Sequence, residues 1–322
     1  MIVRHLAVIL ALNVSGALAQ APRPYPSQPV RIIVPYASGS NGEASLRVLV
    51  PELEARLGQR LLIEARPGGS GNVGAAVVAR SPADGYTLLL GANNNFTINQ
   101  HLYKDIGFDP LTAFEPISVL FDVPLLIYAN AQLPARTLAE LVTYTKTHPD
   151  KVNYASSGAG TPPHLGAEMF AQLAGVRMTH VPYRAAAQSQ AALLAGDVQV
   201  YVGLVPGAQA HVDAGRLRIL STAVPQRLAQ HPSVPSAAEA GYPTLDVTVW
   251  WALAAPRGPP IAIADVLVQA LRGALADPGL RERYAQLGVV PVGSPPDELA
   301  ARIRNESSRW GEIIRARGIK VE

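Results

Sequence analysis

The chain has 322 residues, with 27 Lys and Arg against 24 Asp and Glu, 48% hydrophobic residues and no cysteine. The lack of cysteine excludes a disulfide framework, a Cys-based metal site and a lipid-modified N-terminal Cys. The nearly balanced charge, without a basic run longer than two residues, argues against nucleic acid or an anionic membrane surface as a partner. About 300 residues exceed what one hydrophobic core usually supports, so two domains are expected.

Residues 1–19 have the pattern of a cleaved signal peptide. A basic start precedes an apolar run over 6–14, and the small-residue pattern Ala17-Leu18-Ala19 follows it. A membrane anchor needs roughly 18 or more apolar residues, and polar and small residues interrupt this run earlier. The pattern predicts export into solution after cleavage behind Ala19.

Short β-branched runs alternate with longer amphipathic stretches, which is typical of α/β units with parallel sheets. The predicted strands lie at 30–35, 60–64, 87–91, 152–155, 179–182, 198–202 and 217–222. Helices are predicted where apolar residues recur three and four apart. They lie at 44–57, 72–80, 138–147, 164–173, 185–195, 262–276, 278–287 and 297–317.

Two further runs indicate strands that cross between domains. The run 116–128 is apolar apart from an Asp and a Pro, and the run 245–255 carries two tryptophans in a strand-like pattern. If both are hinge strands, residues 20–128 and 246–322 form the first domain and residues 129–245 the second. The three C-terminal helices would then pack back on the first domain.

The loop after the first predicted strand has the composition of an anion site. It contains Tyr36, Ala37, Ser38, Gly39 and Ser40 before a helix start. A small-residue turn lets backbone N–H groups converge at a helix N-terminus, where partial positive charge attracts a carboxylate or phosphate. An ordinary capped connection explains the same composition. The acidic residue at position 43 argues against a bare anion site unless it caps the helix.

Two other regions supply polar groups at strand ends. The asparagines at 93–95 offer donors and acceptors to a polar ligand, or serve as turn residues. The loop 154–164 repeats the strand, small-residue loop and helix arrangement in the second half. Its candidate residues are Ser156, Ser157, Gly158, Thr161 and His164. Loops of this kind in both halves suggest a cleft in which a ligand is contacted from two sides.

Enzyme motifs are incomplete. Gly69, Gly71 and Gly74 have dinucleotide-loop spacing, but the acidic residue expected about 20 positions later for the ribose is missing. The serines at 70, 156 and 157 sit in predicted turns without a G-x-S-x-G elbow, and the seven histidines form no metal motif. We therefore predict no catalytic residue, no metal and no cofactor. An exported hydrolase or transferase using a loop serine is the alternative.

An ordered set of motifs runs through the mature chain. They are Val34-Pro35-Tyr36, Arg66-Pro67-Gly68 with Gly71-Asn72-Val73-Gly74, Pro82-Ala83-Asp84-Gly85-Tyr86-Thr87, Tyr154-Ala155-Ser156-Ser157-Gly158, Pro163-His164-Leu165, His180-Val181-Pro182-Tyr183-Arg184 and Ala238-Glu239-Ala240-Gly241. With them the chain resembles the Bug, or TctC-like, family of extracytoplasmic solute receptors of tripartite tricarboxylate transporters.

The resemblance implies a type II periplasmic-binding-protein fold, with two α/β domains joined by two hinge strands and a ligand cleft between them. It implies a periplasmic protein that captures a small carboxylate for the membrane subunits of a tripartite transporter, as a monomer. A receptor that presents its ligand to a signalling system is the other possibility. The ligand residues implied by resemblance and loops together are Tyr36, Ala37, Ser38, Gly39, Ser40, Ala92, Asn93, Asn94, Asn95, Ser156, Ser157, Gly158, Thr161, His164, Tyr183, Arg184 and Gly203.

Departures from the family pattern bear on the ligand. Ala37-Ser38 stands where the family usually has prolines, and Glu43 stands where it has aspartate. Gly203 occupies a position where the family often has Asp, a residue able to hold a ligand ammonium. Amino acids are therefore less favoured as ligands than other carboxylates.

Overall fold

The computed structural model describes residues 24–183, 185–204 and 208–321. The strands are β1 (Val30–Val34), β2 (Leu61–Ala65), β3 (Thr87–Ala92), β4 (Phe114–Pro124), β5 (Leu126–Asn130), β6 (Asn153–Ser156), β7 (Thr179–Pro182), β8 (Val200–Gly203), β9 (Leu217–Thr222), β10 (Thr248–Pro256) and β11 (Val290–Pro291). The helices are α1 (Asn41–Leu57), α2 (Asn72–Ala79), α3 (Asn99–Leu102), α4 (Leu138–Thr147), α5 (Pro162–Ala174), α6 (Ala186–Ala195), α7 (Ala208–Asp213), α8 (Ile261–Leu275), α9 (Pro278–Gln286) and α10 (Pro296–Arg317). The predicted leader over 1–19 and the predicted ligand residue Arg184 lie outside the described residues.

The described strands form two sheets. The first has the order β11-β4-β10-β3-β1-β2 and the second the order β7-β6-β8-β5-β9. In the first sheet β1 is parallel to β2 and β3, whereas β10 is antiparallel to β3 and β4. In the second, β6 is parallel to β7 and β8, whereas β5 is antiparallel to β8 and β9. The prediction of parallel sheets is thus wrong in part, because the strands near the domain crossing run against their neighbours.

Successive side chains of a strand point to opposite faces of the first sheet, and different helices cover the two faces. Ile32 of β1 packs in one core cluster with side chains of α1 and α8. Its neighbour Ile33 packs in another cluster with side chains of α2 and α10. Both faces are therefore buried, which explains why these strands read as continuous apolar runs rather than as alternating ones.

The chain passes between the two sheets at Leu125 and again over 223–247, and backbone bonds join the two crossings. The N–H of Leu125 donates to the carbonyl of Val247 (3.1 Å), that of Val247 to Ala223 (2.8 Å), and that of Ala223 to Leu125 (2.8 Å). Leu125 separates β4 from β5, so the predicted run 116–128 is two strands in different sheets. The two predicted hinge runs thus meet at one closed ring of backbone bonds.

Helix α10 contacts both halves of the molecule. Leu299 and Ile303 in its first part pack in a cluster with the first sheet, whereas Trp310 and Ile314 pack in the core that contains β5, β6 and β8. Helices α8 and α9 and the first part of α10 pack against the first sheet, as expected for the last helices, whereas the second part of α10 packs with the second sheet. The domain bounds at 128 and 246 stay a prediction, supported by the division of strands between the sheets.

Within the described ranges, no helix combines the length and apolar character needed to cross a membrane.

Candidate functional site

A cavity of about 610 Å³ lies where the two sheets face each other. Its size is within the range of small-molecule sites, about 300–1,000 Å³. Loops at the carboxyl ends of β1, β3, β6 and β8 surround it, as do the hinge strands β4 and β10. The lining residues are Tyr36, Asn41, Ala44, Ser45, Ser70, Ala92, Asn94, Asn99, Leu102, Tyr103, Val123, Leu125, Ser157, Ala159, Gly160, Thr161, Pro162, Pro163, Ala186, Gln190, Tyr201, Gly203, Leu204, Val249, Trp251, Leu287 and Val289.

On the first side, asparagines are tied to a single backbone carbonyl. The Ser70 carbonyl accepts N–H bonds from the side chains of Asn94 (2.9 Å), Asn95 (3.2 Å) and Asn99 (3.1 Å). The Tyr36 hydroxyl donates to Asn94 Oδ1 (2.6 Å) and lies 3.0 Å from Asn95 Oδ1. These bonds hold Tyr36 and Asn94 in place as walls of the cavity.

A glycine makes this packing possible. Gly71 has φ +91°, and a Cβ there would lie 2.5 Å from Asn95 Nδ2 and 3.2 Å from the ring of Tyr36. A side chain at this position would therefore be strained and would displace the amide. The Gly-rich loop that resembles a dinucleotide motif has a packing role beside the cavity.

The first loop is closed by its own carboxylate. Ser40 caps α1, and the Glu43 carboxylate accepts the Gly39 N–H at 3.0 Å. Glu43 also accepts from Arg47, with Nη2 2.5 Å and Nε 2.9 Å from Oε1, and this guanidinium lowers the pKa of the Glu43 carboxyl. Ser40 and Glu43 have the spacing of a capping box, although the carboxylate here reaches the N–H of Gly39, the residue before the N-cap. Glu43 therefore caps the helix and occupies an N–H that an anion would need.

On the second side, the loop after β6 is held by internal hydrogen bonds. Ser156 Oγ accepts the Gly158 N–H (3.1 Å) and lies 2.6 Å from His180 Nε2. The Thr161 hydroxyl donates to the Gly158 carbonyl (2.7 Å). These bonds fix the turn that brings Ser157 and Thr161 to the cavity wall.

A pair of stacked histidines supports the same turn. The rings of His164 and His180 lie 3.8 Å apart at 9°, and His164 Nδ1 accepts the Gly160 N–H at 2.9 Å. Burial, with a smaller contribution from His180, lowers the pKa of His164 to about 3. His164 is therefore neutral at pH 7 and acts as an acceptor beneath Gly160.

Ser156 and His180 are residue types that can act as nucleophile and base, but the Ser156 hydroxyl is not accessible to a substrate. Ser156 is fully buried, and its hydroxyl is also within 3.0 Å of the Gly158 carbonyl. A substrate carbonyl has no path to this oxygen, so the contact stabilises the loop. Across residues 24–183, 185–204 and 208–321, no group of three or more His, Asp or Glu is arranged to hold a metal ion.

The predicted ligand residues fall into groups. Those that line the cavity are Tyr36, Ala92, Asn94, Ser157, Thr161 and Gly203. Those that are not among its lining residues are Ala37, Ser38, Gly39, Ser40, Asn93, Asn95, Ser156, Gly158, His164 and Tyr183. Asn93, for example, is fully buried and donates to the Thr248 carbonyl of the hinge strand at 3.1 Å.

Sequence reasoning missed several walls of the cavity. Val123 and Val249 on the hinge strands, Tyr103 after α3 and Tyr201 on β8 carried no motif. Trp251 had a usable signal, because strand alternation points Trp250 and Trp251 to opposite faces. The sequence presents Ser70 only as a candidate nucleophile, whereas in the structure its carbonyl accepts hydrogen bonds from three asparagine side chains.

The fold and the cleft define a solute-binding protein. Residues 45–319 match the family described as tripartite tricarboxylate transporter family receptor, and the chain belongs to that family. The resemblance read from the motifs is confirmed. A UPF0065 protein of Bordetella pertussis is 34% identical over 321 residues, covering 100% of this chain and 98% of that protein.

Solved structures agree with this assignment. The periplasmic binding protein BugD has 31% identity and a TM-score of 0.76, covering 92% of this chain and 100% of that one. A protein of R. palustris solved with adipate has 30% identity and a TM-score of 0.80, with coverage of 92% and 100%. MatC from Rhodopseudomonas palustris, with bound malate, has 30% identity and a TM-score of 0.75, with coverage of 90% and 100%. These relatives are solute-binding receptors and not enzymes, and family members are periplasmic binding proteins.

Proposed function

We propose that the protein captures a small carboxylate-bearing molecule in the cleft and delivers it to the membrane subunits of a tripartite transporter. The observation that carries the proposal is the cavity of about 610 Å³ lined from both halves of the chain across the hinge strands. Relatives with the same fold are described with adipate and malate bound. A ligand that contacts both halves stabilises the closed form, because those contacts are absent when the halves separate.

The residues proposed to contact the ligand are those that line the cavity and carry hydrogen-bonding groups. Ser157 and Thr161 would act from the second half, and Tyr36 and Asn94 from the first. Arg184, which is outside the described residues, is proposed as a further ligand residue. We also propose that residues 1–19 direct the chain to the periplasm and that the receptor acts as a monomer, since a cleft formed within one chain needs no second copy.

Thermal unfolding of the purified protein against a panel of mono-, di- and tricarboxylates, aromatic acids and amino acids tests the function. A ligand at about 100 times its dissociation constant adds about 2.7 kcal/mol to the free energy of unfolding. That gain raises the midpoint by several degrees. The protein is refolded first so that carried-over ligand is lost. The proposal fails if none of the carboxylates raises the midpoint and mass spectrometry finds none on the unrefolded protein.

A substitution on the cavity wall tests the site. Ser157→Phe places a bulky ring where the second half meets the ligand, so we expect the midpoint shift to disappear. Ser233→Phe, at an exposed serine in the same half, is the matched control and should leave the shift unchanged. An unchanged shift in Ser157→Phe would remove Ser157 from the site.

A further inference from the structure

The described residues that line the cavity include no Asp, Glu, Lys, Arg or His. Toward the hinge strands its wall consists of Val123, Leu125, Val249 and Trp251. Covering such a wall with an apolar group is favourable, whereas a charged group placed against it would lose its hydration without gaining a counter-ion. The hinge side of the cleft therefore suits the apolar body of a ligand.

The structure also explains the glycine at position 203. A Cβ on Gly203 would lie 2.4 Å from ring atoms of Tyr201, because residues two apart in a strand share a face. Tyr201 is 2% exposed, and burial raises its pKa to about 12, so its hydroxyl is neutral at pH 7. An acidic group that would pair with a ligand ammonium has no room at this position.

Two of the helix N-termini beside the cavity, those of α1 and α5, offer fewer N–H donors to an anion than a bare helix start. At α1 the Gly39 N–H is taken by the Glu43 carboxylate. Helix α5 begins with Pro162 and Pro163, which line the cavity and have no N–H to donate. The described lining residues therefore offer no cation to pair with a second carboxylate.

We propose that the cleft selects a monocarboxylate with an apolar alkyl or aryl body, without an ammonium group and without a second carboxylate. This inference rests on the proposed function, since it names the ligand class of the same site. The relatives described with adipate and malate hold dicarboxylates. The ligand proposed for this chain therefore differs from theirs at one end, where it has an apolar group in place of a second carboxylate.

Two matched pairs of probes test the inference by calorimetry on the purified protein. Hexanoate and adipate have six carbon atoms each and differ in the second carboxylate. 3-Phenylpropionate and phenylalanine share a carbon skeleton and differ in the ammonium group. We expect hexanoate and 3-phenylpropionate to bind at least about tenfold more tightly than their partners, a factor that corresponds to about 1.4 kcal/mol.

A change of charge on the apolar wall should reverse one of these preferences. Val249 is half-buried on β10, so Val249→Lys places an ammonium group at the cavity while its stem covers apolar surface. We expect this variant to bind adipate more tightly than hexanoate. Val266→Lys on α8, where Val266 is 36% exposed and outside the cavity, should keep the original order.

The outcomes separate the two proposals. Adipate binding as tightly as hexanoate, or phenylalanine as tightly as 3-phenylpropionate, overturns the ligand class and leaves the binding function standing. The absence of any binding across the whole carboxylate panel overturns the function, and the ligand class with it. An unchanged hexanoate preference in a folded Val249→Lys protein would mean that the hinge-strand wall does not contact the ligand body, and it too overturns the inference.

Discussion

The two faces of the hinge strands carry opposite chemistry. Val123 and Val249 line the front cavity of about 610 Å³, whereas Asp122 and Thr248 line a back cavity of about 970 Å³. Because successive strand residues point to opposite sides, the same two strands supply both walls. The back cavity is larger and contains charged side chains, yet it is the front cavity on which the loops at the strand ends converge.

Three charged groups at the back cavity are bonded to one another. Arg302 of α10 pairs with Asp122 (2.8 Å) and Glu306 (3.0 Å), and its guanidinium lies 5.1 Å from the centroid of the Trp250 ring. Trp250 Nε1 donates to Glu306 at 2.9 Å. These groups tie α10 to the hinge strands. Mutual pairing of its charges, rather than its volume, therefore distinguishes this structural cluster from the ligand site.

The largest effect is expected where a glycine makes room for the front wall. A Cβ on Gly42 would lie 2.3 Å from the Trp251 ring, so Gly42→Val should displace Trp251. We expect a loss of about 3 kcal/mol in the free energy of unfolding, the upper part of the usual range for overpacked cores, together with loss of 3-phenylpropionate binding. Urea unfolding and calorimetry measure the two effects.

The matched control is Gly279→Val, at an exposed helical glycine of α9 whose nearest contact is its own capping side chain, at 3.3 Å. It should change stability by less than about 0.5 kcal/mol. If Gly42→Val unfolds no more easily than the control, the Trp251 ring is not fixed by this contact.

At the back cavity, Arg302→Ala should lower the free energy of unfolding and leave ligand affinity nearly unchanged. It leaves Asp122 and Glu306 without their cation. Losing one partner of a buried pair costs about 3–5 kcal/mol, and because Arg302 and Asp122 are 25% and 24% exposed we expect about 2 kcal/mol. Urea unfolding measures this loss, and affinity for 3-phenylpropionate should stay within about twofold.

Arg304→Ala, at an exposed arginine of the same helix, is the control. An affinity loss as large as the stability loss would mean that the two faces are not independent.

Acid should lower the free energy of unfolding through His164, which supports the loop beside the front cavity. Its pKa is lowered to about 3 in the folded protein by burial and by His180, against about 6.5 in the unfolded chain. Between these values the unfolded chain binds a proton that the folded chain does not, so this contribution is complete above about pH 6.5 and is lost as the pH falls. The loss in unfolding free energy is up to about 1.4 kcal/mol per pH unit.

His164→Asn keeps an acceptor for the Gly160 N–H and removes the titration. Urea unfolding between pH 7 and 4 should therefore give a flatter profile for this variant than for the unmodified protein. His148→Asn, at an exposed histidine, should leave the profile unchanged. Parallel profiles for His164→Asn and the unmodified protein would show that another group controls the acid sensitivity.

Local pattern was enough to predict most of the strands and helices and the loops after β1, β3 and β6 that bound the front cavity, but it missed α3, α7 and β11. It could not predict that Glu43 closes the first loop, because the competing anion site has the same composition. Nor could it distinguish the neighbouring asparagines: Asn94 lines the cavity while Asn93 and Asn95 turn inward, since the chain makes a wide helical turn over Asn94–Ile98. The Glu43 closure is a local choice of side-chain partner, whereas the positions of the asparagines depend on contacts with residues far apart in sequence; periodicity records neither.

The smallest expected effect concerns the rim of the front cavity, where the Tyr103 hydroxyl lies 2.7 Å from Ser70 Oγ. Tyr103→Phe should cost at most about 0.5 kcal/mol of stability, because the pair is exposed, and should change 3-phenylpropionate affinity less than about threefold, because the ligand body meets an apolar wall. Tyr86→Phe, in a similar exposed pair with Ser27 at 3.2 Å, controls for loss of a hydroxyl away from the cavity. Calorimetry decides the point: a tenfold loss confined to Tyr103→Phe would place the ligand carboxylate at this rim instead of beside Ser157 and Thr161, and so would reverse the orientation of the ligand between the two halves.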